Sequence, residues 1–306
     1  MPKIAYIEKS FMAASLELID KINQVVEDYS RQGFSLTLRQ VYYQLVARAI
    51  IPNNERSYKN TGSLINDARL AGLIDWNAIE DRTRNLRGNS HWTTPGSVIR
   101  SAAYSYHLDH WRGQESYVEV WVEKDALIGV VGKVCEDLDV NHFSCRGYTS
   151  QSEMWTAARR LKEVSDRGQH IVLLHLGDHD PSGKDMSRDI MERLELFGVD
   201  DLEFNRLALN MDQIEDFNPP PNPAKLSDSR AAGYIAQYGY ESWELDALEP
   251  RVISDLIQEN VLKYRDEAVY QKVCRQEGKE RNLLEDLADS WPGVAKNWET
   301  IKEQYC

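Results

Sequence analysis

No stretch of this 306-residue sequence approaches the roughly eighteen consecutive apolar residues that a bilayer-spanning helix needs. The first residues, MPKIAYIEKSF, also lack the apolar core of a secretory signal. These two absences predict a cytoplasmic location with no membrane association. Cysteine is scarce: Cys135, Cys145, Cys274 and Cys306 stand far apart without CxxC spacing, so they indicate neither a disulfide framework nor a cysteine zinc site. There is no internal repeat and no low-complexity tail. A nucleotide P-loop is missing too, although Gly177 to Gly183 followed by Lys184 comes near one. Five residues separate those glycines instead of four, Asp185 stands where Ser or Thr would bind magnesium, and two aspartates inside the loop would repel phosphate.

Positive charge is in deficit, with 36 Lys and Arg against 49 Asp and Glu and a formal net charge of −13. Taken alone, that balance argues against a polyanionic partner. Its distribution argues for one. Residues 31–100 hold ten Lys/Arg against five acids, so this segment is +5 and the remainder −18. Nine of the ten are arginines, whose planar fork suits phosphate better than a lysine point charge does. A basic front on an acidic body fits a nucleic-acid-binding module joined to a metal-binding or partner-binding domain.

At 42% hydrophobic residues the chain can build two domain cores. Residues 11–30 have helical apolar spacing. A second helix fits TLRQVYYQLVARAII, with Thr37 as its cap, and a third fits YKNTGSLINDARLAGLI. Strand-like pieces around IDWNAIEDRTR come next. Three short helices followed by a strand pair is the order of a winged helix-turn-helix, and we place the end of this domain near residue 112. Strand and helix then alternate from YVEVWVE through LEFNRLAL, which predicts a parallel α/β sheet with right-handed crossovers. FNPPPNP, residues 217–223, should be an ordered connection. The remainder reads as helical, with Leu245, Leu248, Val252, Leu256 and Ile257 on one face.

The run IVLLHLGDHDPSG, residues 171–183, carries the most chemistry. Its apolar part lacks alternation, as in a strand buried on both faces, and parallel sheets place ligands at the carboxyl ends of such strands. Strand alternation sets Asp178 and Asp180 on one side and turns His179 away as a structural residue. The same aspartates also suit a solvated loop or a cap for the residues after Gly183. Fifty-five residues earlier, YVEVWVEKDAL ends another strand in Glu123. With the two strands adjacent and parallel, Glu123 faces the aspartates, and three such carboxylates stay ionised only beside a cation. Hard oxygen donors of this kind suit magnesium.

A carboxylate strand ending in Glu123, a later strand ending in Asp178-His179-Asp180-Pro181, and βαβα order between them together resemble the TOPRIM domain. Arg39-Gln40-Val41-Tyr42-Tyr43, VEKDA at 122–126 and DHDPSG at 178–183 resemble motifs of the topoisomerase VI A subunit and the related meiotic double-strand-break transesterase. The resemblance implies an N-terminal winged-helix domain (1–112) and a TOPRIM-like parallel α/β domain with C-terminal helices (113–306). It further implies that Tyr43 attacks double-stranded DNA to leave a 5′-phosphotyrosyl link, and that Glu123, Asp178 and Asp180 hold Mg2+. The protein would be a homodimer in which the tyrosine of one protomer meets the metal of the other, and a topoisomerase would need a separate ATPase subunit. Arg39, one helical turn from Tyr43, is placed to support a phenolate, and Tyr42 is expected to be buried. Lys59, Arg69, Arg82, Arg84 and Lys124 are the cations expected at the DNA backbone, Lys124 being somewhat better suited to balancing the acids. Two other readings stay open: a TOPRIM nuclease that hydrolyses DNA without a covalent intermediate, and a non-catalytic DNA-binding regulator. The motif departs from the family at His179 and Ser182, and the chain is compact for an A subunit.

Overall fold

The computed structural model of the protein describes residues 3–79 and 89–305. Packing divides the chain elsewhere than at residue 112. One compact unit joins Met1–Arg84 to Glu115–Tyr264, and the other joins Asn85–Gln114 to Arg265–Cys306.

The first unit opens with helices α1 (Ala13–Arg31), α2 (Leu38–Ala47) and α3 (Glu55–Leu70). α1 forms because Ile19, Ile22, Val25, Val26 and Tyr29 recur on one face, which is buried. α2 starts where Thr37 and Gln40 make a reciprocal capping box that satisfies donors at the helix start. Val41 and Leu45 meet Ile22, Val25, Leu36, Ile65 and Ile74 in a common core. Of the strand pair expected after α3, the described residues contain a single parallel bridge between Leu36 and Ile79; the rest of that segment falls on residues 80–88, outside the described residues. Helix α4 (Pro95–Ser105) belongs to the second unit.

The expected alternation follows: β1 (Ser116–Val122), α5 (Ile128–Leu138), β2 (Asn141–Ser144), α6 (Gln151–Ser165), β3 (His170–Leu176), α7 (Pro181–Leu196) and β4 (Leu202–Ala208). The four strands make one parallel sheet in the order β2-β1-β3-β4. Trp121, Ile171 and Leu173 pack on one face against Met154, Leu161, Ile190 and Leu194. Val118, Val120, Val122, Val172 and Leu174 are buried as well, which explains why β3 reads as continuously apolar. The chain leaves β1 toward β2 on one side and returns to β3 on the other, so the crevice between the carboxyl ends of β1 and β3 is a topological switch point.

The unit continues with α8 (Met211–Phe217), β5 (Asn222–Pro223), α9 (Ala231–Tyr238), β6 (Glu241–Ser242) and α10 (Pro250–Leu262), β5 and β6 pairing antiparallel. Leu245 and Leu248 are not on the helix of Val252, Leu256 and Ile257, contrary to the periodicity. Pro250 takes the first turn of α10, where its missing N–H is harmless, and the two leucines are buried in and just after a 3-10 turn, Leu245–Ala247. In the second unit α4 lies along α11 (Glu267–Asp289), followed by α12 (Trp291–Tyr305). Gln114 closes this unit by exchanging two hydrogen bonds with the Asp266 backbone, at 2.9 and 2.7 Å. Among the described residues no helix is long and apolar enough to cross a membrane.

Candidate functional site

Glu123 and Asp178 meet at the switch point. The Glu123 N–H donates to the Leu176 carbonyl at 2.8 Å, continuing the β1–β3 ladder by one residue. The Asp178 N–H then donates to Glu123 Oε2, also at 2.8 Å. Close approach depends on Gly183, where an added Cβ would stand 2.3 Å from the Asp178 carbonyl oxygen and 3.0 Å from Glu123 Oε2. Arg206 on β4 clamps the turn, donating to the carbonyls of Gly177, Asp178 and Gly183 at 3.0, 2.5 and 3.0 Å. The two aspartates part company here. Asp178 enters the crevice, whereas Asp180 caps α7, its Oδ1 accepting from the Gly183 N–H at 2.6 Å and from Ser182 at 2.9 Å. His179 turns away as expected and is buried between Tyr234, Tyr238 and Trp243.

An ion-pair network that the sequence did not disclose fills the space beside Asp178. Lys124 Nζ lies 2.8 Å from Asp178 Oδ2, 2.8 Å from Glu244 Oε2 and 3.0 Å from Asp246 Oδ1. Asp178 Oδ1 accepts the Leu245 N–H at 2.8 Å. Arg39 pairs with Asp246 through Nε at 2.6 Å and with Glu244 through Nη2. Burial, with Asp178 beside it, raises the Glu123 carboxyl well above the usual range, and burial also raises Asp178 against the pull of Lys124. For Glu244, burial is outweighed by Lys124 and Arg39, which hold it below that range. Lys124 stays an ammonium because its three carboxylates outweigh its burial. Glu244, Asp246 and Arg206 were missed by sequence reasoning. The signals were an acid pair two apart in SWELDALEP and a lone cation inside the strand LEFNRLAL.

The anticipated three-carboxylate set is not assembled. Among the described residues, one group of three His, Cys, Asp or Glu ligand atoms falls within 4.8 Å of one another, and it is elsewhere, at His107, His110 and Glu277. Asp180 is engaged as a helix cap and Asp178 by Lys124. What remains still fits magnesium in kind: magnesium uses one or two carboxylates and keeps several waters, and Glu123 carries a buried carboxyl whose burial and Asp178 neighbour outweigh the pull of Lys124. Glu123 with Asp178 or Asp180 would hold it.

Tyr43 lies on α2, in the same unit. Its ring is 5.6 Å from the Arg39 guanidinium carbon and packs edge-on against Tyr42 at 5.2 Å. Tyr42 is buried as expected, but Tyr43 is as well, with 5% of its surface exposed. The reason is that α2 is covered on a second side, where Tyr42, Tyr43 and Val46 cluster with Ala247. Burial, then the charges of Glu244 and Asp246, raise the Tyr43 hydroxyl far above its ordinary pKa, opposed by Arg39. Tyr43 nonetheless borders a cavity of about 460 Å³ shared with Arg39, Tyr42, Asn53, Tyr58 and Glu244.

The expected backbone-binding cations are scattered. Lys59 is exposed and paired with Glu55 at 2.6 Å. Arg69 is turned inward, donating to the carbonyls of Trp76 and Ile79 and stacking on Trp76. Lys124 balances the acids. Arg82 and Arg84 lie outside the described residues. No family model, curated protein or solved structure matches the chain.

Proposed function

We propose that the protein is a magnesium-dependent DNA-cleaving enzyme of the tyrosine transesterase type, with α1–α3 as a winged-helix-like reader and the parallel sheet as a TOPRIM-like centre. One observation carries this reading. The Tyr43 cavity and the Glu123/Asp178 crevice belong to one continuous polar network, running from Arg39 through Glu244 and Asp246 to Lys124 and Asp178. The network leaves Arg39 40% exposed beside the Tyr43 cavity, where a backbone phosphate can compete with its carboxylate partners for the guanidinium.

In the reaction, Tyr43 Oη bonds to a backbone phosphorus as the P–O3′ bond breaks, the phenol proton being lost to solvent and the departing 3′ oxygen taking one up to become a hydroxyl. One phosphodiester is exchanged for another and no water is consumed. Arg39, released from Glu244, is placed to stabilise the phenolate or the non-bridging oxygens. Lys124 and Arg39 keep the acid cluster compensated until substrate arrives. Magnesium on Glu123 and an aspartate would supply positive charge for the departing 3′ oxygen. Double-stranded DNA is the substrate, a second copy of the chain the partner, and a separate ATPase subunit the addition needed for strand passage.

The test is incubation of the full chain with supercoiled DNA and magnesium, quenched in detergent. Protein-linked breaks that vanish in Tyr43→Phe and in Glu123→Gln are expected. The burial of Tyr43 favours a second reading, hydrolysis by metal-activated water. Breaks with free 5′ phosphates that persist in Tyr43→Phe would select it.

A further inference from the structure

We propose that the second unit carries a transition-metal site of the zinc type, formed by His107 Nδ1, His110 Nε2 and a carboxylate oxygen of Glu277. The three atoms already converge. Glu277 Oε2 lies 3.0 Å from His107 Nδ1 and 2.8 Å from His110 Nε2. Two imidazoles and one carboxylate are a donor set that zinc uses with water in the fourth position, and nitrogen donors separate it from the all-oxygen preference of magnesium.

The carboxylate is held in place by its surroundings. Glu277 is 4% exposed. Its Oε1 accepts from Arg281 at 2.5 Å, and its Oε2 accepts the Leu108 N–H at 2.7 Å. Groups that orient a ligand in this way are a regular part of metal sites. The His110 ring is fixed by an edge-on contact with Tyr270, centroids 5.2 Å apart. His107 is largely exposed, which leaves an open side for metal and water. In the metal-free arrangement the imidazole N–H groups donate to the carboxylate. On binding, the near nitrogen of each ring gives up its proton, to the far nitrogen by way of solvent or to solvent outright, and turns a lone pair to the ion. Zinc bonds of about 2.0–2.2 Å set tetrahedral ligand atoms about 3.3 Å apart, so each nitrogen needs to retreat by only a few tenths of an ångström. The exposed side chain of His107 can do so.

The site would fasten the segment after α4 to α11 across 167 residues of sequence. It shares no residue with the acid crevice. The experiment uses the full chain stripped with chelator and dialysed, then titrated with zinc by calorimetry and with cobalt by visible absorption. We expect one zinc per chain, the absorption of a four-coordinate cobalt ion, and a rise in Tm with zinc but not with magnesium. His107→Ala, which removes an exposed side chain and keeps the fold, should weaken zinc at least about tenfold. Glu277→Gln, with circular dichroism as a folding check, should do the same, and Asp178→Asn should leave zinc uptake unchanged. The proposal is overturned if the wild type takes up no zinc, if His107→Ala binds it equally, or if uptake is lost in Asp178→Asn instead.

Discussion

Gly183 has no room for even a methyl group, since its Cβ would press on the Asp178 carbonyl at 2.3 Å. That carbonyl cannot yield freely, because Arg206 holds it at 2.5 Å. Gly183→Ala should therefore shift the turn, destabilise the protein by roughly 1–3 kcal/mol and remove the proposed magnesium-dependent cleavage, read by melting curves and the supercoiled-DNA assay together. His175 supplies a pH test at the same scale. Fully buried on β3, it is pushed down to about 3 by burial and the nearby Arg206 charge. The folded state keeps this imidazole neutral while the unfolded chain protonates near its ordinary value of about 6.5. Its stabilisation is therefore complete above that pH and lost as pH falls toward 3. Denaturant melts should show stability declining over this window by up to about 1.4 kcal/mol per pH unit from this group. His175→Phe, which removes the titrating ring nitrogens, should flatten that limb; an unchanged slope would assign the acid sensitivity elsewhere.

Among the elements, α2 shows what local sequence can and cannot disclose. Its start was legible because a capping box involves residues three apart, and Thr37→Ala should cost about 1 kcal/mol, measured as a fall in denaturation midpoint. Its burial on two sides was not legible. Tyr43 looks free in the sequence, outside the apolar face of Leu38, Val41, Tyr42, Leu45 and Val46, and Ala247, which helps to cover it, lies 204 residues later. β3 was readable for the opposite reason: both faces of a central parallel strand are buried, so the apolar run itself announces the environment, while β1 showed itself by the alternation of Val118, Val120 and Val122. Glu123 and Asp178 could be found at those strand ends. Their neighbours Glu244 and Asp246 could not, because a 3-10 turn has no periodicity to mark it and its leucines imitate a helix. Asp180 was visible as an acid, but whether it would face the crevice or cap α7 depended on where β3 stopped.

On the scale of the whole molecule, three of its acids, Asp178, Glu244 and Asp246, are answered by Lys124 and Arg39, and the basic character of residues 31–100 is partly turned inward through Arg39 and Arg69. Under the proposed transesterase reaction, mixing two variants expected to be inactive decides whether Tyr43 would work on its own chain's crevice or a partner's. Tyr43→Phe combined with Glu123→Gln should restore protein-linked nicks if the tyrosine acts across a dimer, since one site then regains both groups, and should stay inactive if each chain is self-sufficient. The division of the chain has a further consequence, for biosynthesis. The strip Asn85–Gln114 packs with Arg265–Cys306, so on the ribosome α4 emerges long before α11 exists. At roughly 5–20 residues per second, α4 waits on the order of ten seconds while the intervening sheet is made. During that interval the sheet can assemble and the smaller unit cannot, which makes the order of folding a property of how the sequence is threaded.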